Sequence, residues 1–282
     1  MAPPKVLIAV FHTRQEPWQS IVELGQFKTW VPEVKNHGIE VNYCFGLKPG
    51  EYTSNIDTWL ESLRWHRGSR ISNLRNLSNK ILAYPWRNCL PGIKEIEFPQ
   101  APAEVFGLEA KIWDLYVTGR WKQLALFNYF ISQNQYEYLV ITTSSSYLRI
   151  DLLMEQLSQL NSEYVYAGPI QGEKTSTRFI SGSLLVVNRN FASLALRNKK
   201  DIPTHLLNDL GLGLLALKFG IEPTEMPSKS ISDKKMLNMI PKEEFSKIIH
   251  FRLKSLNQKT GERNDVKLFQ ELHNLLYKNS QD

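Results

Sequence analysis

The chain is poor in cysteine: Cys44 and Cys89 are the only two in 282 residues. Two thiols build neither a disulfide framework nor a four-thiolate zinc site, so reduced cysteines in a cytosolic setting are expected. Long hydrophobic runs are also missing. Near the N-terminus the longest is Val6 to Phe11, far short of the roughly 20 residues that span a bilayer and too short for a signal-peptide core. Neither export nor insertion is expected. With only 15 glycines and no triplet or heptad period, the sequence excludes collagen and coiled coil, while 42% hydrophobic and 11% aromatic residues exclude wholesale disorder. There is no Gly-x-x-x-x-Gly-Lys-Ser/Thr loop and no Gly-x-Gly-x-x-Gly after the first apolar run, which argues against P-loop and dinucleotide-binding enzymes. Six histidines include no His-x-x-x-His pair, so a dedicated zinc site is not expected.

Negative charge is absent from one long stretch. Between Ser62 and Lys94 there is no Asp or Glu, while Arg64, Arg67, Arg70, Arg75, Lys80, Arg87 and Lys94 supply seven positive charges against a net +6 for the whole chain. Such a block favours an anionic partner: nucleotide phosphates, a charged glycan, an anionic membrane surface or RNA. Trp65, Tyr84 and Trp86 lie within it, a mixture that suits single-stranded nucleic acid as well. No RNA-binding signature accompanies it, so nucleic acid is not the expected partner. An acceptor-binding flap or a peripheral membrane contact fits better.

What is present reads as alternating strands and helices. Lys5 to Phe11 is an apolar, β-branched run of the kind buried on both faces of a parallel sheet. It is followed by a loop at His12 to Pro17, a helical stretch from Trp18 to Trp30, and a second strand from Ile39 to Phe45. Residues 48 to 105, broken by Pro85, Pro91, Pro99 and Pro102, read as a long, partly irregular connection. A helix is expected over Ala110 to Gln133, strands over Tyr138 to Thr142, Tyr164 to Pro169 and Phe179 to Val187, and helices over Leu152 to Leu160 and Leu206 to Phe219. From about Pro241 the chain is polar and helical, ending in Val266 to Tyr277 with Leu268, Leu272, Leu275 and Leu276 on one face. The expected fold is a single α/β domain with a mixed, mostly parallel central sheet flanked by helices. Ligands of open α/β sheets bind at the carboxyl ends of strands, which directs attention to His12, Thr13 and Arg14 and to Thr142 to Tyr147.

Four features, in order, carry a resemblance. They are Gln26-Phe27-Lys28-Thr29-Trp30; Asp114-Leu115-Tyr116 with Lys122 six residues on; the strand ending at Thr142; and Phe179-Ile180-Ser181-Gly182-Ser183 followed by Asn208-Asp209-Leu210-Gly211-Leu212-Gly213. Together they resemble the Fringe and β1,3-galactosyltransferase-like glycosyltransferases of GT-A fold, over about residues 5 to 225. The resemblance implies a Rossmann-like domain that moves a hexosyl or pentosyl group, with inversion, from a nucleotide-sugar to a hydroxyl of a glycan or lipid-linked glycan. It also implies donor contacts from His12, Thr13, Arg14 and Lys122, acceptor contacts from Gly182 and Ser183, and an acidic general base at Asp209; in a metal-independent transfer, Ser144, Ser145 and Ser146 would contact the ribose or phosphates by hydrogen bond.

The sequence departs from that family at one decisive place. Where the family has Asp-x-Asp, this chain has Thr142-Thr143-Ser144-Ser145-Ser146-Tyr147. Hydroxyls alone bind Mg²⁺ or Mn²⁺ poorly, because hard cations need anionic oxygens to offset dehydration. The expectation is therefore a transfer with no required metal, in which Lys and Arg neutralise the leaving diphosphate. His250, Arg252 and Lys254 would share one face of an extended segment and supply that charge. A C-terminal His often completes the metal site in GT-A enzymes, so His250 leaves a Mn²⁺ or Mg²⁺ site open as the alternative. Arg263 and Asp265 are close enough to pair. Asn208 is a second departure, since both positions of the family's pair are usually acidic. The competing readings are a catalytically silent GT-A-like binder of nucleotide or glycan and, more distantly, an RNA-binding α/β protein.

Overall fold

A computed structural model describes residues 3–47, 89–98, 101–113, 119–172, 177–203, 206–255, 263 and 265–278. Its centre is the first apolar run, β1 (Val6–Phe11), which pairs in parallel with β2 (Glu40–Leu47) on one side and β5 (Tyr138–Thr143) on the other. Side chains alternate across a strand, and both faces of β1 are apolar. Val6, Ile8 and Val10 enter one core, while Leu7 and Ala9 enter a second core on the opposite face. The same split divides Val140 from Leu139 and Ile141, and Leu184 and Val186 from Leu185 and Val187. Two apolar faces require two covering layers.

The second core is covered by α1 (Gly119–Ser132) through Trp121, Leu124, Phe127 and Phe130, and by α3 (Arg189–Arg197) through Phe191 and Ala195. The first is covered by helical turns over residues 18–37, by α2 (Ile150–Gln159) through Leu153 and Leu157, and by α5 (Asp265–Lys278) through Leu268, Phe269 and Leu272. The sheet has eight strands in the order β11-β7-β10-β5-β1-β2-β4-β3. The remaining members are β3 (Ile93–Ile96), β4 (Val105–Trp113), β7 (Tyr166–Gly168), β10 (Leu184–Asn188) and β11 (Thr224–Glu225). Four neighbouring pairs run parallel and three antiparallel; three of the parallel pairs join β5, β1, β2 and β4 at the centre, and the fourth, β11–β7, lies at one edge. A small sheet, β12-β13-β6, is made of β6 (Ser146–Leu148), β12 (Ser228–Ile231) and β13 (His250–Leu253). A further pair joins β8 (Ile170–Gln171) to β9 (Phe179–Ile180). A further helix is α4 (Asn208–Lys218), and two short helical segments follow it over Lys234–Asn238 and Lys242–Phe245.

Several boundaries differ from those expected. The helix expected from Ala110 is described over Gly119–Ser132, and Ala110 itself lies in β4, because Leu108, Ala110 and Ile112 face the second core with Lys111 exposed between them, a strand's period of two. The connection over 48 to 105 contains β3 and the start of β4; residues 48–88, and with them nearly all of the basic block, lie outside the described residues, as do Asp114 to Tyr116. Trp18 to Trp30 is a chain of short turns rather than one helix. At its middle, Gly25 packs so closely on Phe269 that a Cβ there would come to 3.0 Å of the ring. Phe179 to Val187 divides into β9 and β10 around a turn at Ser181 to Ser183, and the C-terminal part is interrupted by β13. Among the described residues no helix is long and apolar enough to cross a membrane.

Candidate functional site

Because β1 and β5 are parallel and adjacent, their carboxyl ends emerge together. Phe11 is in register with Thr143, and the Ser144 amide donates to the Phe11 carbonyl at 3.3 Å. From β1 the chain enters His12 to Arg14. His12 is buried against the edge of Tyr43, with Nε2 3.0 Å from Gln19 Oε1. Thr13 is half-buried. Arg14 lies over the Phe45 ring at 4.2 Å and donates to Glu109 Oε2 at 2.7 Å and to the Gly46 carbonyl at 3.2 Å. Much of its charge is therefore balanced within the protein. Lys122 projects from α1 with its ammonium 5.1 Å from the centre of the Phe11 ring, just under the end of β1.

From β5 the chain enters the serine turn, where Ser144, Ser145 and Ser146 are all buried. Gln26 clamps this turn from behind. Fully buried, it donates from Nε2 to the Thr143 carbonyl (3.1 Å) and the Ser146 carbonyl (2.8 Å), and accepts from the Tyr43 hydroxyl at 2.7 Å. The Ser146 hydroxyl touches Thr143 Oγ1 (3.1 Å), the Ser183 carbonyl (3.1 Å) and His250 Nε2 (3.0 Å). His250 Nδ1 in turn lies 2.6 Å from Ser228 Oγ. Both nitrogens of this fully buried imidazole thus face hydroxyls. Burial, and secondarily the Arg252 charge, push its pKa down to about 3.

The alternation expected for the basic segment does exist. Yet His250 is uncharged at neutral pH and serves the turn, so the positive charge of that face is left to half-buried Arg252 and exposed Lys254. Arg263 and Asp265 do pair, and Arg263 Nη2 also donates to Ser145 Oγ at 2.9 Å. Trp30 is fully buried in the first core, whereas Trp18 lies under the Arg263 guanidinium, 4.3 Å from its carbon to the ring centre.

Across from the serine turn stands the turn between β9 and β10. The Ser183 carbonyl accepts from both Thr142 Oγ1 (2.9 Å) and Ser146 Oγ, which ties the two turns together. Ser181 and Ser183 hydroxyls lie 3.0 Å apart. Exposed Gly182 donates its amide to Asp209 Oδ2 at 3.3 Å, and Asp209 Oδ1 accepts from the Leu210 amide at 2.9 Å. Asp209 sits in the first turn of α4, where a carboxylate is favoured by the helix dipole. That helix approaches the site closely: a Cβ on Gly213 would come to 2.3 Å of Phe179 Cβ. Arg120 anchors the approach. Its buried guanidinium donates to the Leu206 carbonyl at 2.9 Å, and desolvation lowers its pKa to about 10, leaving it charged at neutral pH.

Among the described residues, those around the serine turn do not fit a divalent cation. Ser144 to Ser146 offer neutral oxygens, His250 has both nitrogens in hydrogen bonds, and among the described residues no group of three or more His, Cys, Asp or Glu could hold a metal. Gln26, Arg120 and Arg263 acquire roles here that spacing did not reveal. Gln26 lay inside a motif, but only the fold shows that its amide faces a turn 117 to 120 residues away.

No protein-family model and no curated protein matches the chain. Among solved structures it is similar to the glycosyltransferase GlyE of Streptococcus pneumoniae TIGR4, at 10% identity and a TM-score of 0.45 over 96% of this chain and 60% of that one. It is also similar to a glycosyltransferase involved in glycosylation of the major capsid of PBCV-1, at 8% identity and a TM-score of 0.44 over 95% of this chain and 99% of that one. A third is the galactosyltransferase LgtC in complex with donor and acceptor sugar analogues, at 6% identity and a TM-score of 0.45 over 96% of this chain and 95% of that one. The chain thus spans less than two thirds of the GlyE chain.

Proposed function

We propose that this protein is a GT-A-type glycosyltransferase that moves a hexosyl or pentosyl group from a nucleotide-sugar to a hydroxyl of a glycan or lipid-linked glycan, with inversion and without a metal. One observation carries the reading: Asp209 stands half-exposed at the start of α4, fixed by the Gly182 and Leu210 amides, opposite the serine turn at the carboxyl ends of β1 and β5. The Fringe-like order of motifs supports it. Asp209 takes the proton of the acceptor hydroxyl as that oxygen attacks the anomeric carbon, and the bond to the nucleoside diphosphate breaks on the opposite face. Lys122, Arg252 and Lys254 offset the charge that develops on the departing diphosphate. His12, Thr13 and Arg14 border the base and ribose, Ser144 to Ser146 supply hydroxyls, and Gly182 and Ser183 border the acceptor.

A second reading, a binder without chemistry, is favoured by the way the serine turn satisfies its own polar groups. The two separate in one experiment: a thermal-shift screen over UDP-, GDP-, CMP- and dTDP-sugars, in EDTA and with Mn²⁺, followed by donor hydrolysis assays. For the enzyme, one donor in large excess over its Kd raises the melting temperature by about 5 °C in EDTA and is slowly hydrolysed. Stabilisation without hydrolysis or transfer selects the binder. A chain that responds to no activated sugar overturns both.

A further inference from the structure

Arg263 is a cation that the transfer reading leaves unused, and it joins three segments at the carboxyl edge of the sheet. Its guanidinium carbon lies 4.3 Å from the centre of the Trp18 ring, at the start of the helical turns that follow β1; it donates to Ser145 Oγ at 2.9 Å, in the serine turn; and it pairs through Nη2 and Nε (3.4 Å) with Asp265, at the start of α5. The Arg263 side chain is only 9% exposed and that of Asp265 is fully buried. Asp265 is further fixed by the Ser255 amide at 2.9 Å.

An internal ion pair adds little to stability by itself, because desolvating both charges offsets their attraction. Burial raises the Asp265 pKa, and the Arg263 guanidinium is the group that chiefly opposes it. The carboxylate occupies Nε and Nη2 and so fixes the plane of the fork, while Nη1 takes no part in these contacts. Ser145 Oγ accepts from Arg263, and an oxygen that accepts a hydrogen bond still has its own hydrogen to give. A planar, permanently charged fork stacked on an indole, beside a hydroxyl donor, suits a phosphate oxygen better than an ammonium does.

We infer that Arg263, stacked on Trp18 and braced by Asp265, is an anion-binding residue that takes a phosphate group at the serine turn. This deepens the transfer reading and rests on it for the class of ligand, a nucleoside diphosphate and its sugar ester. Asp265 both orients the fork and competes with the incoming phosphate for its charge.

The test is calorimetric titration of inorganic pyrophosphate into the full chain in EDTA, repeated for Arg263→Gln, Arg263→Lys and Asp265→Asn. Pyrophosphate binds the wild type. Arg263→Gln weakens it about ten-fold or more, the loss of one charge-assisted partner, and Arg263→Lys weakens it less. Asp265→Asn tightens it several-fold by removing the competitor, an outcome that internal pairing alone does not produce. If Arg263→Gln fails to fold, the other two variants decide. Tryptophan fluorescence responds to pyrophosphate in the wild type, and the response is diminished in Trp18→Phe. Absence of pyrophosphate binding, or equal affinity in all variants, overturns the assignment. The same titrations with sugar nucleotides separate the two ideas. A donor that binds wild type and Arg263 variants alike sinks this site and leaves the transferase standing. Arg263-dependent pyrophosphate binding with no response to any sugar nucleotide does the reverse.

Discussion

The serine turn and the start of α4 face each other across the Ser183 carbonyl, but they treat polarity in opposite ways. At the serine turn, Ser146, Thr143, His250 and Ser228 hydrogen-bond among themselves, Gln26 saturates the carbonyls behind them, and the imidazole is neutral. At α4, a half-exposed carboxylate is held by two backbone amides and little else. Buried polar groups cost free energy unless paired, so a closed network is what a rigid frame requires. A reacting group must instead keep an oxygen for its substrate. The difference teaches how the proposed transfer divides its labour, a rigid frame that presents a few hydroxyls on one side and the reacting carboxylate on the other, and each can be tested by what its loss disturbs.

The largest effect is expected on the open side. Asp209→Asn keeps the shape and one of the two amide contacts but removes the base, so turnover with any donor found by the screen falls about 10³-fold or more, with nucleotide affinity nearly unchanged. Steady-state transfer and a binding titration on the same variant measure the two. Unimpaired turnover would take Asp209 out of its role and erase the contrast.

On the closed side the expected signature is reversed. Gln26→Leu leaves two buried carbonyls and the Tyr43 hydroxyl without a partner, and unpaired buried groups cost about 1–3 kcal/mol each. A stability loss of about 3 kcal/mol follows, read by denaturant titration. Nucleotide affinity in the folded fraction changes little by comparison. A variant as stable as wild type would show that the clamp is not what holds the serine turn.

The two sides also differed in how legible they were. The continuous apolar runs of β1, β5 and β10 marked the central strands, because a strand buried on both faces has a composition that few other elements share. Asp209 entered as a candidate through the resemblance, from a Ser-Gly strand and an acidic position before a Gly-containing helix, and the fold does bring that turn and helix start together. The frame was not legible. Gln26 reads as one more polar residue in a helical stretch, and its partners lie 117 to 120 residues on. The helix placed from Ala110 failed because Trp113 and Tyr116 fit a three- or four-residue period as well as a strand's alternation, and only the pairing of Val105–Trp113 with β2 decides between them. His250 was legible as a residue of interest but not as a neutral one, since its charge state depends on burial by elements distant in sequence.

That charge state gives a prediction of intermediate size. The unfolded chain protonates His250 below about pH 6.5, the folded chain only near 3. Between those values the unfolded state binds more protons, so the native state loses stability as pH falls, by up to about 1.4 kcal/mol per pH unit from this group. His250→Gln retains hydrogen-bonding capacity without titrating. Its stability curve should therefore be flatter than wild type from pH 6.5 downward, in urea melts at several pH values, and parallel curves would contradict a buried neutral imidazole in the frame.

Arg252 lies on the border between the two regions, and it tests where the border runs. It follows His250 by two residues on the same face, opposite Ser146 in register, yet it is half-buried rather than enclosed. If it belongs with the chemistry, Arg252→Ala weakens nucleoside diphosphates by about five- to ten-fold and leaves the free nucleoside untouched, since solvent screening keeps an accessible charge pair to roughly 1 kcal/mol. The loss should shrink further as salt rises, because the interaction is Coulombic and only partly shielded by protein. If it belongs with the frame, nucleoside and nucleotide weaken together and salt makes no difference to the ratio. Competition titrations of the nucleoside and its diphosphate at low and high ionic strength separate these cases, and equal weakening of both ligands would move Arg252 to the scaffold side.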